Sequence, residues 1–187
     1  MAARLGSRPE MPVAASADDA RRGQQKVYKI VTAGRERDGR PDDVVLTEQE
    51  INGLLMRTVE PASLPLRDLG VRLPAVGTAE VVGHLPLRTL AQELAPGAVD
   101  ALPASWGDYP IWLVIRGSPT IAPGGPGRRR VLALAVREVQ VGQQRVPAVA
   151  LRLLLDPGRL SRLRWPLPGG VDSVAVEPGR IVVRIRS

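Results

Sequence analysis

The stretch VVLTEQEINGLL, residues 44–55, decides the fold because it joins two kinds of secondary structure without a linker. Thr47 and Glu50 have the T-x-x-E spacing of a capping box, in which each side chain satisfies a free backbone N–H at a helix start. Apolar residues then recur at helical spacing and form one stripe, made of Ile51, Leu54, Leu55 and Val59. The sequence therefore predicts a short strand that runs directly into a helix over 47–59, and the stripe packs that helix onto another part of the chain.

The composition restricts both the core and the chemistry. The chain has 187 residues, enough for one domain with a good core, and its aromatic content is 3% with no Phe. The core must therefore consist of Val, Leu, Ile and Ala, which suit β-sheets. There is no cysteine, which excludes disulfides, zinc–thiolate sites and cysteine nucleophiles. The net charge of +7 favours anionic partners such as phospholipid head groups or nucleic acid, although GC-rich codon usage explains an arginine excess equally well.

The polarity pattern divides the chain into a tail and a domain. Residues 1–16 mix Ala, Ser, Pro and Arg without periodicity, which predicts a disordered tail, and residues 17–187 form a single domain. That domain begins with a helix from about 17 to 34 and carries a short inserted helix at 87–95. The N-terminus lacks the roughly 7 to 15 apolar residues of a signal-peptide core, and no run of about 20 apolar residues occurs. As supplied, the chain is expected to be soluble, and an exported form would need a leader or anchor that has been removed.

From Val71 onward the pattern becomes β. Four apolar runs are each bounded by Gly or Pro, namely VRLPAV, TAEVVGHLPL, YPIWLVIRG and RRRVLALAVREVQVG. The chain closes on a hairpin over 171–186, in which Pro178 and Gly179 fit the central positions of a type II turn. This order predicts an α+β fold, with a curved antiparallel β-sheet (a meander plus the C-terminal hairpin) covered by the N-terminal and inserted helices. Residues 146–165 fit both the helical and the strand period.

The strand residues are apolar on both faces of the predicted sheet. One face of the third run carries Ile111, Leu113 and Ile115. Trp112 and Val114 occupy its other face. An antiparallel sheet with one wet side would not show this pattern, so the sheet requires a second cover: a helix, another sheet, a partner or a lipid.

Few side chains suit catalysis. His84 is the sole histidine and lies mid-strand, and no G-x-S-x-G elbow accompanies it, so a histidine satisfied within the sheet explains it. Solvation and capping account for the carboxylates near the second helix, which are Asp42, Asp43, Glu48 and Glu50. The run APGGPGRRR, residues 122–130, lacks the Lys of a phosphate-binding loop and joins two strands. The sequence thus favours a protein that is not an enzyme and has no metal or other cofactor.

The stretch GRLSRLRWPLP, residues 158–168, interleaves apolar and basic residues. A short helix here would place leucines and a tryptophan beside arginines, an arrangement that rests at a lipid interface. The expected membrane-surface residues are Arg159, Arg162, Arg164 and Trp165. An ordinary amphipathic segment that packs on the sheet is the alternative. Nucleic acid is a disfavoured partner, because the few aromatic residues are too scattered for a stacking platform.

The opening segment resembles the lTe.EiN.ll segment of YpmS-like bacterial extracytoplasmic proteins, in which a membrane anchor precedes the first helix. Residues 141–155 (VGQQRVPAVALRLLL) and 165–183 (WPLPGGVDSVAVEPGRIVV) are similar to later parts of those chains. The resemblance implies an α+β domain, distantly similar to tubular lipid-binding folds, at or near a membrane surface in a periplasmic or extracytoplasmic location. It implies no catalytic residue, since none is established for the group, and this chain departs from the pattern in lacking the anchor. For Asn52, a weak helix former, we expect a buried hydrogen bond to the neighbouring loop.

These observations lead to two hypotheses. The first is a non-enzymatic, envelope-associated domain that binds a lipid or other amphiphile between the sheet and its helices. The side chains expected to line that site are Leu54, Leu55, Ile111, Leu113, Ile115, Leu132, Leu134 and Leu153. The second is a structural or assembly subunit whose apolar sheet face is covered by another protein chain.

Overall fold

The computed structural model describes residues 8–33, 41–58, 66–94, 103, 106–123, 130–146 and 164–186. Within these residues the helices are α1 (Ala17–Ala33), α2 (Glu48–Thr58) and α3 (Leu87–Leu94). The strands are β1 (Pro41–Thr47), β2 (Arg67–Ala75), β3 (Thr78–Pro86), β4 (Pro110–Ala122), β5 (Val131–Val141), β6 (Gln144–Arg145), β7 (Arg164–Pro166), β8 (Val171–Glu177) and β9 (Arg180–Arg186). All pairings are antiparallel, which confirms the predicted α+β class.

The two N-terminal helices begin at capping boxes and pack closely together. At α2 the predicted box forms, because the Thr47 N–H donates to Glu50 Oε2 at 2.9 Å and the Glu50 N–H donates to Thr47 Oγ1 at 3.3 Å. A second, unpredicted box starts α1: the Ser16 N–H donates to Asp19 Oδ2 at 2.8 Å, and the Asp19 N–H donates to Ser16 Oγ at 3.1 Å. Where the helices cross, a Cβ on Gly53 would lie 2.6 Å from the backbone nitrogen of Ala20 in α1, so this close approach requires glycine.

The closing hairpin does not extend the meander but forms a small sheet with β1. The strand order is β1-β9-β8, and the β1–β9 register runs from Pro41 opposite Arg186 to Thr47 opposite Arg180. Gly179 has a φ of 73°, as the predicted type II turn requires. Helix α1 covers one face of this sheet, and the core between them contains Ile30, Ala33, Val44, Leu46, Val171, Val183 and Ile185.

The large sheet has the order β2-β3-β4-β5-β6, and β7 pairs with the first part of β5. One of its faces, here called the arm face, carries Val82, His84, Trp112 and Val114. The opposite face, here called the apolar face, carries Ile111, Leu113, Ile115, Leu132, Leu134, Val136 and Val139. Each face receives another segment of the chain, so the chain itself provides part of the predicted second cover.

The small sheet covers one end of the apolar face. Leu73 and Ala79 of the large sheet and Val176 of the small sheet form a second core, and Ile51 of α2 packs against both cores. The hairpin turn fastens this contact, since the Gly179 N–H donates to the Leu73 carbonyl at 2.9 Å. The small sheet is therefore both packed on and hydrogen-bonded to the large one.

The arm face is covered by part of the segment predicted as a disordered tail. Residues 8–12, here called the arm, lie across this face, and Met11 packs against Val82, Trp112 and Val114. Those three side chains are 0%, 6% and 7% exposed. The sequence did not predict this contact because the arm has neither helical nor strand periodicity. Residues 1–7 lie outside the described chain.

Candidate functional site

Five of the eight predicted lining residues share the apolar face of the large sheet. Ile111, Leu113 and Ile115 alternate along β4, and Leu132 and Leu134 lie on the neighbouring strand β5. The β4–β5 register shifts between Arg116, which lies opposite Glu138, and Gly117, which lies opposite Val136. The extra residue in β5 is Arg137, which forms a β-bulge. Without it, Leu132 and Leu134 would face the opposite side from Val139.

These side chains differ in how far the rest of the chain covers them. Ile111 is 1% exposed and belongs to the buried core. Leu113, Ile115, Leu132 and Leu134 are half-buried. Leu134 also packs at the edge of the inter-sheet core formed by Leu73, Ala79 and Val176. The small sheet thus covers this face only in part. These four half-buried side chains along β4 and β5 are here called the half-buried row.

The structure does not bring the helical residues to this row. A Cβ on Gly23 would lie 3.0 Å from Leu54 Cγ, so Leu54 packs between α1 and α2. Leu55 is half-buried on α2, a helix that packs against α1 and strands β1 and β2. The apolar residues of α2 therefore do not all face one neighbour, because α2 packs against helix α1 and against strands of both sheets. Among the described residues, helices α1 and α2 do not form the expected wall opposite β4 and β5.

The remaining predicted residues lie largely outside the described chain. Leu153, Arg159 and Arg162 fall outside it. The backbone of Arg164 and Trp165 belongs to β7, where Arg164 lies opposite Ala133 and Trp165 opposite Leu132. This end of the ambiguous stretch is therefore strand, and it borders the half-buried row.

Side chains of α2 bond to the outer edge of β2. The Asn52 amide donates to the Val71 carbonyl at 2.9 Å, and the Val71 N–H donates to Asn52 Oδ1 at 2.7 Å. The Leu73 N–H donates to Glu48 Oε2 at 2.9 Å. Asn52 thus bonds to a strand rather than to the expected loop. The side chains of Asn52 and Glu48 thus bond to backbone groups of β2 that a neighbouring strand would otherwise pair with. This hinders pairing of the edge with another chain.

The carboxylates near α2 are all engaged in structural contacts. Glu50 is 3% exposed and accepts hydrogen bonds from Lys26 Nζ at 2.7 and 2.8 Å. Asp42 pairs with Lys29 at 2.6 Å, and the hydrogen bond from Lys29 lowers the pKa of Asp42 below its usual value. Arg184 donates to both oxygens of Asp43 at 2.9 and 3.2 Å and likewise lowers the pKa of Asp43. Each carboxylate near α2 thus has a cation or a backbone N–H as its partner.

An open pocket of about 570 Å³ lies beside these pairs on the small sheet. Its lining is charged and comprises Pro41, Asp42, Asp43, Asp172, Arg184 and Arg186. Arg186 bonds to Asp172 at 2.8 Å, so the arginines already have carboxylate partners. A lining of this kind does not suit an acyl chain, and the pocket is separate from the half-buried row.

His84 lies on the arm face beside Trp112, with the ring centroids 4.8 Å apart. Its buried Nδ1 has no hydrogen-bond partner, and the nearest carboxylate oxygen is Asp68 Oδ2 at 3.5 Å. Across the described ranges, no group of three or more His, Asp and Glu side chains is placed to hold a metal ion. Also within those ranges, no helix is both long and apolar enough to span a bilayer.

Comparison with protein-family models and with curated proteins finds no match for this chain.

Proposed function

We propose that this chain is a non-enzymatic, envelope-associated domain that binds a lipid or other amphiphile along the apolar face of its large sheet. The observation that supports it most is the half-buried row itself. Leu113, Ile115, Leu132 and Leu134 lie on one face, brought into phase by the bulge at Arg137. Large aliphatic side chains that remain half-buried in a folded domain mark a surface that gains free energy when an apolar group covers it.

The size of the row fits a weakly held acyl chain. Complete burial of a Leu or Ile side chain contributes roughly 1.5–3 kcal/mol, and about a third or less of each of the four side chains remains uncovered, so the row supplies at most about 4 kcal/mol. That amount corresponds to a Kd of about 1 mM before head-group contacts are added. The net charge of +7 favours an anionic head group, which would raise the affinity further.

Native mass spectrometry of delipidated protein, titrated with an anionic phospholipid or fatty acid up to millimolar concentration, tests the proposal. We expect a saturable complex with the amphiphile to form. Leu132→Asn should weaken uptake at least about 10-fold, since a polar amide would meet the acyl chain. The matched control is Ala135→Asn, on the same strand but on the opposite, exposed side. Protein that takes up no amphiphile, or equal uptake by the two variants, would contradict the proposal.

The second candidate is an assembly subunit that docks through α1. Three apolar side chains on the surface of that helix are well exposed, namely Val27 at 37%, Tyr28 at 70% and Val31 at 48%. Its buried positions, such as Ala20 and Ile30, lie on the other side against α2 and the small sheet. Light scattering distinguishes the candidates: a stable oligomer that Tyr28→Glu dissociates supports assembly, and a wild-type monomer over the accessible concentration range argues against self-assembly.

A further inference from the structure

The arm is held on the large sheet by contacts of four different kinds. Its anchor is Met11, which packs on the buried cluster of Val82, Trp112 and Val114. At its start, the Arg8 guanidinium lies 5.4 Å from the centre of the Trp112 ring, within the range of a cation–π contact. The arm adds no strand to the sheet, so these side chains alone position it.

The next arm residue, Pro12, packs against Gly70 on the surface of the sheet. A Cβ on Gly70 would lie 2.4 Å from Pro12 Cγ, and its three nearest neighbours would all be atoms of Pro12. Gly70 lies opposite Val82, on the same face as the anchor. A side chain at this position would therefore collide with the arm before it met anything else. Gly70 leaves the space that a proline ring fills.

An ion pair also joins the arm to the sheet. Glu10 contacts Arg72 at 2.5 Å. Arg72 also bonds to the buried carboxylate of Glu80 at 3.1 Å, and Arg116 bonds to the same carboxylate at 2.7 Å. The cation that meets the arm is thus held in place by the sheet and does not depend on the arm. A cation–π contact, an ion pair, an apolar anchor and a proline seat follow one another in five residues.

We propose that the arm face is a peptide-binding site for an extended Arg-x-Glu-Met-Pro segment, which the chain fills with its own residues 8–12 and which accepts the same residues from a second copy. A second copy carries the sequence for which the site is already shaped. Short tethers give an arm an effective concentration in the millimolar range, so the chain's own arm prevails in dilute solution. Exchange between copies becomes competitive as the protein concentration approaches that range.

Peptide binding to a chain with a released arm tests the site. Met11→Asp places a carboxylate against Val82, Trp112 and Val114, and should release the arm because an unpaired charge is costly to bury. We expect a dye-labelled peptide of residues 7–15, SRPEMPVAA, to bind full-length Met11→Asp protein saturably by fluorescence anisotropy. Wild type should bind it at least about 10-fold more weakly, because its own arm competes. Adding Gly70→Ala to Met11→Asp should abolish binding.

Two further variants keep the test decisive. If Met11→Asp lowers the thermal stability too far, Met11→Ala releases the anchor without adding a charge. The peptide with Asp in place of Met serves as the control ligand. Failure of the peptide to bind either arm-released chain at millimolar concentration would overturn the proposal, as would binding that Gly70→Ala leaves unchanged.

Mixing two variants tests the exchange between copies. Met11→Asp protein has an open site and an arm that cannot dock, whereas Gly70→Ala protein has an intact arm and a blocked site. We expect each to be monomeric alone and a heterodimer to form in the mixture at high protein concentration, as measured by light scattering. A mixture that stays monomeric, while the peptide still binds, would refute the exchange and leave only an intramolecular site.

Discussion

Asn52 bonds to both backbone groups of Val71, as the residue of a neighbouring strand would. Asn52 is 6% exposed, so replacing its amide would leave the Val71 N–H and carbonyl without hydrogen-bond partners and with little access to solvent. Asn52→Leu should therefore lower the free energy of unfolding by about 2–4 kcal/mol, measured by urea denaturation. Asn52→Asp, which keeps an acceptor but loses the donor, should fall between this variant and wild type. Met56→Ala, at a position 73% exposed on the same helix, is the control and should change the stability by less than about 0.5 kcal/mol.

The pair formed by Lys26 and Glu50 should respond unequally to removal of either partner. Glu50 is 3% exposed and Lys26 34%, so the carboxylate depends on the pair more than the ammonium does. Lys26→Met should lower the free energy of unfolding by about 2–4 kcal/mol, and Glu50→Gln by about 1–2 kcal/mol. Urea denaturation of the two single variants and the double variant checks this. Equal losses of unfolding free energy in the two single variants would contradict this expectation. So would a loss in the double variant that exceeds the sum of the two single losses.

Three carboxylates make the fold sensitive to strong acid. Hydrogen bonds from Ser16, Lys29 and Arg184 lower the pKa of Asp19, Asp42 and Asp43, respectively, below the ordinary value of 3.8. A group whose pKa is lower in the folded state stabilises the fold above its unfolded pKa, and that stability is lost as the pH falls through the folded pKa. Above about pH 5 these groups should stabilise the fold fully and the urea midpoint should not change with pH on their account, whereas below about pH 4 the midpoint should fall. Asp43→Asn should show a shallower acid decline than wild type, and an identical decline would count against this assignment.

The bulge at Arg137 should matter through its backbone and not through its side chain. Arg137 is exposed, so Arg137→Ala should change the free energy of unfolding by less than about 0.5 kcal/mol. Deleting the residue removes the register shift and turns Leu132 and Leu134 toward the arm face, which should cost about 3 kcal/mol or more. Urea denaturation compares the two variants. A deletion as mild as the substitution would show that the register is not fixed here.

The parts of the fold that depend on local signals could be predicted, and those that depend on distant partners could not. The capping box at Thr47 and Glu50 and the turn at Gly179 follow from neighbouring residues, and both form as expected. The pairing of β1 with β9 joins segments more than a hundred residues apart, and no local pattern specifies it. The direction of Leu54 was missed because helical spacing does not say which neighbour each side of the helix will meet.

The candidate site shows the same division. The bulge had a weak signal in the sequence: Leu132, Leu134 and Val136 fall at even positions, whereas Val139 and Val141 fall at odd positions. The docking of the arm had no signal in the sequence. It depends on the contact between Pro12 and Gly70, and the sequence does not show that these two residues meet. Strand alternation could place the row on one face, but it could not show how much of that face the small sheet covers.

The pairing of β1 with β9 also sets an order of events during synthesis. Strand β1 ends at Thr47, and its partner begins at Arg180. At about 5–20 residues per second, a ribosome needs on the order of ten seconds to make the intervening chain. During that interval Val44 and Leu46, buried in the finished protein, have no partner strand to cover them. The meander of β2 to β5 consists of sequential hairpins and is free to form first, so the small sheet is the last part of the molecule to close.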